Sequence, residues 1–107
     1  MSYVVMIEYA APMMARHRAQ ETLRTAVTGL IASGKHDIVI DMKPVTYVDS
    51  ATIGCLMDLY RQVHNAGGHL KLSGVQKRVE TMLTMTGAQN FIEIHADEPS
   101  AVKSFGA

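Results

Sequence analysis

Hydrophobic and polar positions along this chain alternate between two periods, one suited to strands and one to helices. Tyr3 to Tyr9 is short, β-branched and aromatic, and Pro12 ends it, so it reads as a strand. From Met14 onward Ala19, Leu23, Ala26, Val27, Leu30 and Ile31 recur at three- and four-residue steps. Arg16, Arg18, Glu21 and Arg24 fall mostly on the other side, which predicts an amphipathic helix stopped at Gly34, with Lys35 and His36 near its negative end. Ile38 to Ile40 is uniformly apolar and too short for a helix, so a strand covered on both faces fits best. Met42 to Val48, with Pro44, reads as a loop.

Helical spacing returns at Ile53, Leu56, Met57, Tyr60 and Val63, until Asn65-Ala66-Gly67-Gly68 stops it. His69 to Ser73 alternates as a strand, and Gln76 to Thr86 places Val79, Met82 and Leu83 on one helical face before Gly87. Phe91 to His95 alternates again. Asp97-Glu98-Pro99 reads as a cap and first-turn proline, with Ala101, Val102 and Phe105 packing inward. The order β-α-β-α-β-α-β-α predicts an α/β fold over residues 1–107. It implies about four mostly parallel strands with helices packed mainly on one face. Functional residues in such sheets lie in the loops that follow strands, and Met42–Thr52 occupies that position.

Composition narrows the classes. The chain has 107 residues, 48% of them hydrophobic and 19% charged, which suits one ordinary globular domain. Ten basic residues balance ten acidic ones, which argues against a nucleic-acid binder. Cys55 stands alone, so no internal disulfide is expected. The opening residues lack a basic stretch and carry Glu8 early, unlike a signal peptide, and no apolar run suits membrane insertion. The expected location is cytoplasmic.

Catalytic patterns are missing. There is no Gly-x-Ser-x-Gly elbow, Gly-x-Gly-x-x-Gly run or Walker sequence. His17, His36, His64, His69 and His95 lack metal-ligand spacing, so neither a metal nor a cofactor is expected, and no enzyme. Cys55 reads as a small core residue, Gly67-Gly68 as a helix end, and most of the eight methionines as core filler. What remains is Val45 to Gly54, where a strand end hands over to a helix N-terminus. There Ser50 or Thr52 either caps the helix, with Asp49 as a favourable first-turn charge, or carries a phosphate that the free backbone N–H groups would solvate.

The run Ile38-Val-Ile-Asp-Met-Lys-Pro-Val-Thr-Tyr-Val-Asp-Ser-Ala-Thr-Ile-Gly54 resembles the signature of the STAS domain of bacterial anti-sigma factor antagonists. Gly67 to Gly87 and Phe91-Ile-Glu-Ile continue the likeness, which is strongest over 38–105. The resemblance implies a partner-switching regulator. Its unmodified form would bind an anti-sigma factor that is also a GHKL-type serine/threonine kinase, through Asp49, Ser50, Ala51, Thr52 and Ile53. Phosphorylation of the loop would release it, and a PP2C-type phosphatase would reset it.

Two departures from the family pattern bear on the site. Ala51 stands where the commonest family loop has a second serine, so Ser50 is the first choice of acceptor and Thr52, at a usual glycine position, the second. The chain also starts late and replaces the family's usual turn before the first helix with Ile7 to Pro12. An alternative within the family is a non-phosphorylated docking subunit of a bacterial ABC lipid-transport complex. The apolar strand Tyr3–Tyr9 at a sheet edge implies a monomer or weak dimer.

Overall fold

The computed structural model describes residues 4–8, 16–35 and 37–105. Its elements follow the expected order. They are β1 (Val4–Glu8), α1 (Arg16–Ala32), β2 (Asp37–Asp41), α2 (Ser50–Asn65), β3 (His69–Ser73), α3 (Lys77–Thr86), β4 (Glu93–Ile94) and α4 (Glu98–Lys103). The strands lie side by side in the order β1-β2-β3-β4, all parallel. Tyr3, Tyr9 and Pro12, which were expected to bound the first strand, lie outside the described residues, as do Met14 and His36.

Side chains alternate across a strand, so each strand feeds two layers. Ile38 and Ile40 of β2 and Leu70 and Leu72 of β3 enter one core with Leu23 and Val27 of α1. Ile53, Leu56, Leu59 and Val63 of α2, and Val79 and Leu83 of α3, complete it. The intervening Val39 and Lys71 are buried but lie outside that cluster, on the face where α4 packs against β2 and β3. Helices therefore cover mainly one face, as expected, and among the described residues α4 takes the other. Burying a side chain such as Leu56 or Leu59 completely contributes roughly 1.5–3 kcal/mol each.

The last helix is fastened by a lysine. Lys71 Nζ donates to the Ser104 carbonyl at 3.2 Å and to Ser104 Oγ at 2.7 Å, and pairs with Glu93 at 3.2 Å. It also lies 4.2 Å from the centroid of the Phe105 ring, whose edge meets His69. An ammonium held this far from water needs those partners.

Three expectations change. The fourth strand was expected over Phe91–His95 but is only Glu93–Ile94. Gly87 ends α3 with φ 79°, a 3-10 turn follows over Ala88–Asn90, and Phe91 is left 60% exposed, so pairing starts late. The methionines are not all core filler either: Met42 is fully buried, but Met85 projects from α3 with 81% exposed. Finally, Arg24 is not simply on the solvent side of α1. It reaches Asp58 of α2 at 2.7 Å and so ties the two helices together.

Candidate functional site

The site is built where β2 ends. Met42 is buried and its N–H continues the pairing to the Ser73 carbonyl at 2.8 Å. The Asp41 carboxylate turns back to accept the Lys43 N–H at 2.9 Å, and a turn closes from Val45 N–H to the Met42 carbonyl at 2.9 Å. Val45 and Val48 are buried, whereas Thr46 and Tyr47 between them are exposed. Two apolar pins thus hold the loop down while its middle stands out.

A second segment presses against this loop. Gln76, at the start of α3, donates from Nε2 to the Lys43 carbonyl at 2.8 Å. Gly74 has φ 65°, a conformation open to glycine at little strain, and a Cβ there would come within 3.1 Å of Asp41 Oδ1 and 3.2 Å of Lys43 Cβ. The Arg78 guanidinium lies 5.9 Å from the Tyr47 ring centroid, within cation–π range. The loop and the first turn of α3 form one surface.

The helix cap differs from the sequence reading. Ser50 and Thr52 were the expected capping residues; Asp49 takes that role instead. Its backbone is extended (φ −105°, ψ 178°) and its Oδ1 accepts the Thr52 N–H at 2.8 Å. A carboxylate suits this place because it satisfies a free N–H and meets the positive end of the helix dipole. Ser50 is thereby the first helical residue, with its side chain exposed.

The remaining site residues separate by burial. Thr52 is 1% exposed and its Oγ1 accepts from Gln20 Nε2 of α1 at 3.1 Å, a contact between distant segments that local sequence did not signal. Ile53 is buried in the core beneath the helix. Ser50, Ala51 and Gly54 are exposed, and spacings of three and four residues put Gly54 beside Ala51 and Ser50 on the helix. A Cβ added at Gly54 would meet nothing within 4 Å. This face is small, flat and outward.

The other candidate chemistry disperses. Cys55 is buried and free, and its thiol is pushed up by burial, with nearby Arg24 opposing and Asp58 and Glu21 adding to the rise. A thiol kept protonated in this way is a poor nucleophile. His64 stacks on Tyr60, His69 faces Asp37, and His95 meets Glu93 at 2.7 Å. Among the described residues no three His, Cys, Asp or Glu side chains gather to hold a metal ion, and no helix is long and apolar enough to cross a membrane.

With this geometry in place, the comparisons are informative. Residues 4–101 match the STAS domain. The chain belongs to the STAS domain family. It is 31% identical over 81 residues to the anti-sigma-B factor antagonist of Bacillus subtilis, covering 76% of this chain and 73% of that protein. A probable sulfate transporter of Arabidopsis thaliana is 34% identical over 55 residues, or 51% of this chain, but only 8% of that protein is matched.

Solved structures agree on the fold. The crystal structure of a candidate anti-sigma factor antagonist of Thermotoga maritima superposes with a TM-score of 0.76 at 17% identity, covering 94% of this chain and 86% of that one. The phosphorylated form of the Bacillus cell fate determinant SpoIIAA gives 0.64 at 16% identity, with 95% and 86% covered. This STAS domain is thus of the anti-sigma factor antagonist kind in fold.

Proposed function

We propose that this STAS domain is a partner-switching regulator that binds an anti-sigma factor of the GHKL serine-kinase type while unphosphorylated, and is released when Ser50 is phosphorylated. The observation that carries the reading is the exposed Ser50 hydroxyl on the first turn of α2, next to the capping Asp49. The identity to the Bacillus subtilis anti-sigma-B factor antagonist supports the choice of partner. Thr52, whose hydroxyl is buried against Gln20, ranks behind Ser50 as acceptor because a kinase would first have to open the α1–α2 contact. Docking runs over Asp49 to Ile53, with Ser50 and Ala51 as the side chains a partner touches first.

The switch follows from charge and bulk. A phosphoserine carries about −1.5 to −2 charges. It would stand beside the Asp49 carboxylate and occupy the flat face where the partner sits. The N-terminal dipole of α2 tolerates the phosphate within the domain, so the fold is kept while the complex is lost. A PP2C-type phosphatase completes the cycle, and the domain works in the cytoplasm as a monomer or weak dimer.

The test is intact-mass spectrometry after incubation with the GHKL-type kinase encoded nearest to this gene, with ATP and magnesium, followed by peptide mapping. One added phosphate on Ser50 is expected, and Ser50→Asp should bind that kinase more weakly than the unmodified chain. No phosphate from a kinase active on another substrate would instead point to a constitutive docking subunit, such as that of an ABC lipid-transport complex.

A further inference from the structure

Three exposed cations stand on the loop before Ser50 and on the helix that packs against it. Lys43 in the loop and Lys77 and Arg78 on the first turn of α3 are exposed, and Gln76 binds the loop through the Lys43 carbonyl. The nearby loop carboxylates keep their charge but sit lower than the three cations. Asp41 is half-buried and holds the Lys43 N–H, while Asp49 is half-buried and caps α2. Glu80, a neighbour of Lys77 at three residues' spacing, lines a groove with Ile94 and His95, and a spacing of two residues puts it on nearly the opposite side of α3 from Arg78. The N-terminal ends of α2 and α3 add two positive dipole ends to the same end of the sheet.

This surface also has an anchor and a floor. Tyr47 is 47% exposed with its ring beside Arg78, and tyrosine and arginine are the side chains most often found to dominate interfaces. Beside them the face of Ser50, Ala51 and Gly54 allows close approach, since among the described residues no atom lies within 4 Å of a Cβ placed on Gly54.

Resting on the reading under Proposed function, we propose that the docking surface extends from Ser50 across Tyr47 to Lys43, Lys77 and Arg78. Its occupant is an acidic patch on the anti-sigma kinase, with a hollow for the tyrosine. A phosphate on Ser50 then acts twice: it repels the partner's carboxylates and it lowers the positive field that attracts them.

The experiment is calorimetric titration of the nearest-encoded GHKL-type kinase with the full chain, with phosphorylation of Ser50 followed in parallel. Arg78→Glu and Tyr47→Ala each weaken binding by at least about tenfold, and Arg78→Gln weakens it by less than Arg78→Glu. Raising salt from about 0.05 M to about 0.3 M weakens the unmodified chain, with a shallower slope for Arg78→Gln. Lys35→Glu, an exposed site before β2 at the other end of the sheet, leaves binding unchanged. Arg78→Glu, Arg78→Gln and Lys35→Glu should melt with the parent, because these side chains are exposed, and Tyr47→Ala is titrated well below its own melting temperature. If the chain binds and is phosphorylated while Arg78→Glu and Tyr47→Ala bind as the parent does, the acidic-patch inference is overturned and the switch stands. If the unmodified chain neither binds nor accepts phosphate, both fall.

Discussion

Replacing Gly54 by alanine should make the domain more stable. Glycine inside a helix is about 0.8–1 kcal/mol less favourable than alanine, because the unfolded chain has more freedom to lose. Gly54 lies within α2, its φ is not positive, and an added Cβ would meet no atom within 4 Å, so no strain or clash offsets the gain. The full value of about 1 kcal/mol is therefore expected, equivalent to a rise in Tm of about 4–8 °C for a domain of this size. Urea unfolding followed by circular dichroism would read it, with Gly29→Ala in α1 as an internal standard, since that site is equally open. Gly54→Leu should retain most of the gain while weakening kinase binding, because the new side chain rises from the flat face beside Ser50. Loss of stability in Gly54→Ala while Gly29→Ala gains would refute the helix argument. Undiminished kinase binding by Gly54→Leu would refute the view that the face is kept low for a partner.

Other predictions follow from the same contacts. Gly74→Ala forces a side chain into φ 65° and against Asp41 and Lys43, so it should lose about 1–3 kcal/mol in urea unfolding. Its amide spectrum should change most in the loop 42–48, and a change confined to α3 would contradict the contact. Ser73→Ala should be neutral or stabilising by about 1 kcal/mol, since Ser73 Oγ is buried with no hydrogen-bond partner; a clear loss in thermal melting would reveal a bond that the structure lacks.

Acidification should release α4. Asp97, capping α4, is held below the ordinary carboxylate range by the Ser100 N–H. For Glu93, burial works upward, but hydrogen bonds from Lys71 and His95 outweigh it and the result is lowered. Both groups have folded values below their unfolded ones, so their stabilisation is fully present above about pH 5 and fades as pH falls through the lowered values. Amide exchange of 98–105 should speed up there before that of α2, and simultaneous opening of both helices would count against a separate clasp.

Much of this fold was legible because local periodicity and core packing agree. The run Ile38–Ile40 reads as a strand covered on both faces because the core shared with α1 and α2 lies on one side and α4 packs on the other. The shape of β4 was not legible. FIEIH alternates like a longer strand, but the left-handed Gly87 and the 3-10 turn after it use up the residues that would have paired. At the candidate site, sequence located the loop and its hydroxyls but assigned the cap to the wrong residues. Ser, Thr and Asp are close in capping preference, and the Thr52 hydroxyl is instead taken up by Gln20, thirty-two positions away, which local sequence does not show. The Arg78–Tyr47 pair joins a loop to α3, with α2 and β3 between them in the chain, and no local pattern encodes it.

Strand order carries a wider consequence. Because the sheet runs β1-β2-β3-β4 without reversing, successive crossovers step in one direction. Doubly wound sheets hold their small ligands in the crevice where the order turns back, between loops that diverge to opposite faces. This sheet has no turning point among its four strands, so the loops leaving β2 and β3 lie together and form a ridge. A ridge is shaped to meet another surface, and a covalent group on its crest, such as the phosphate proposed for Ser50, would change which surface fits.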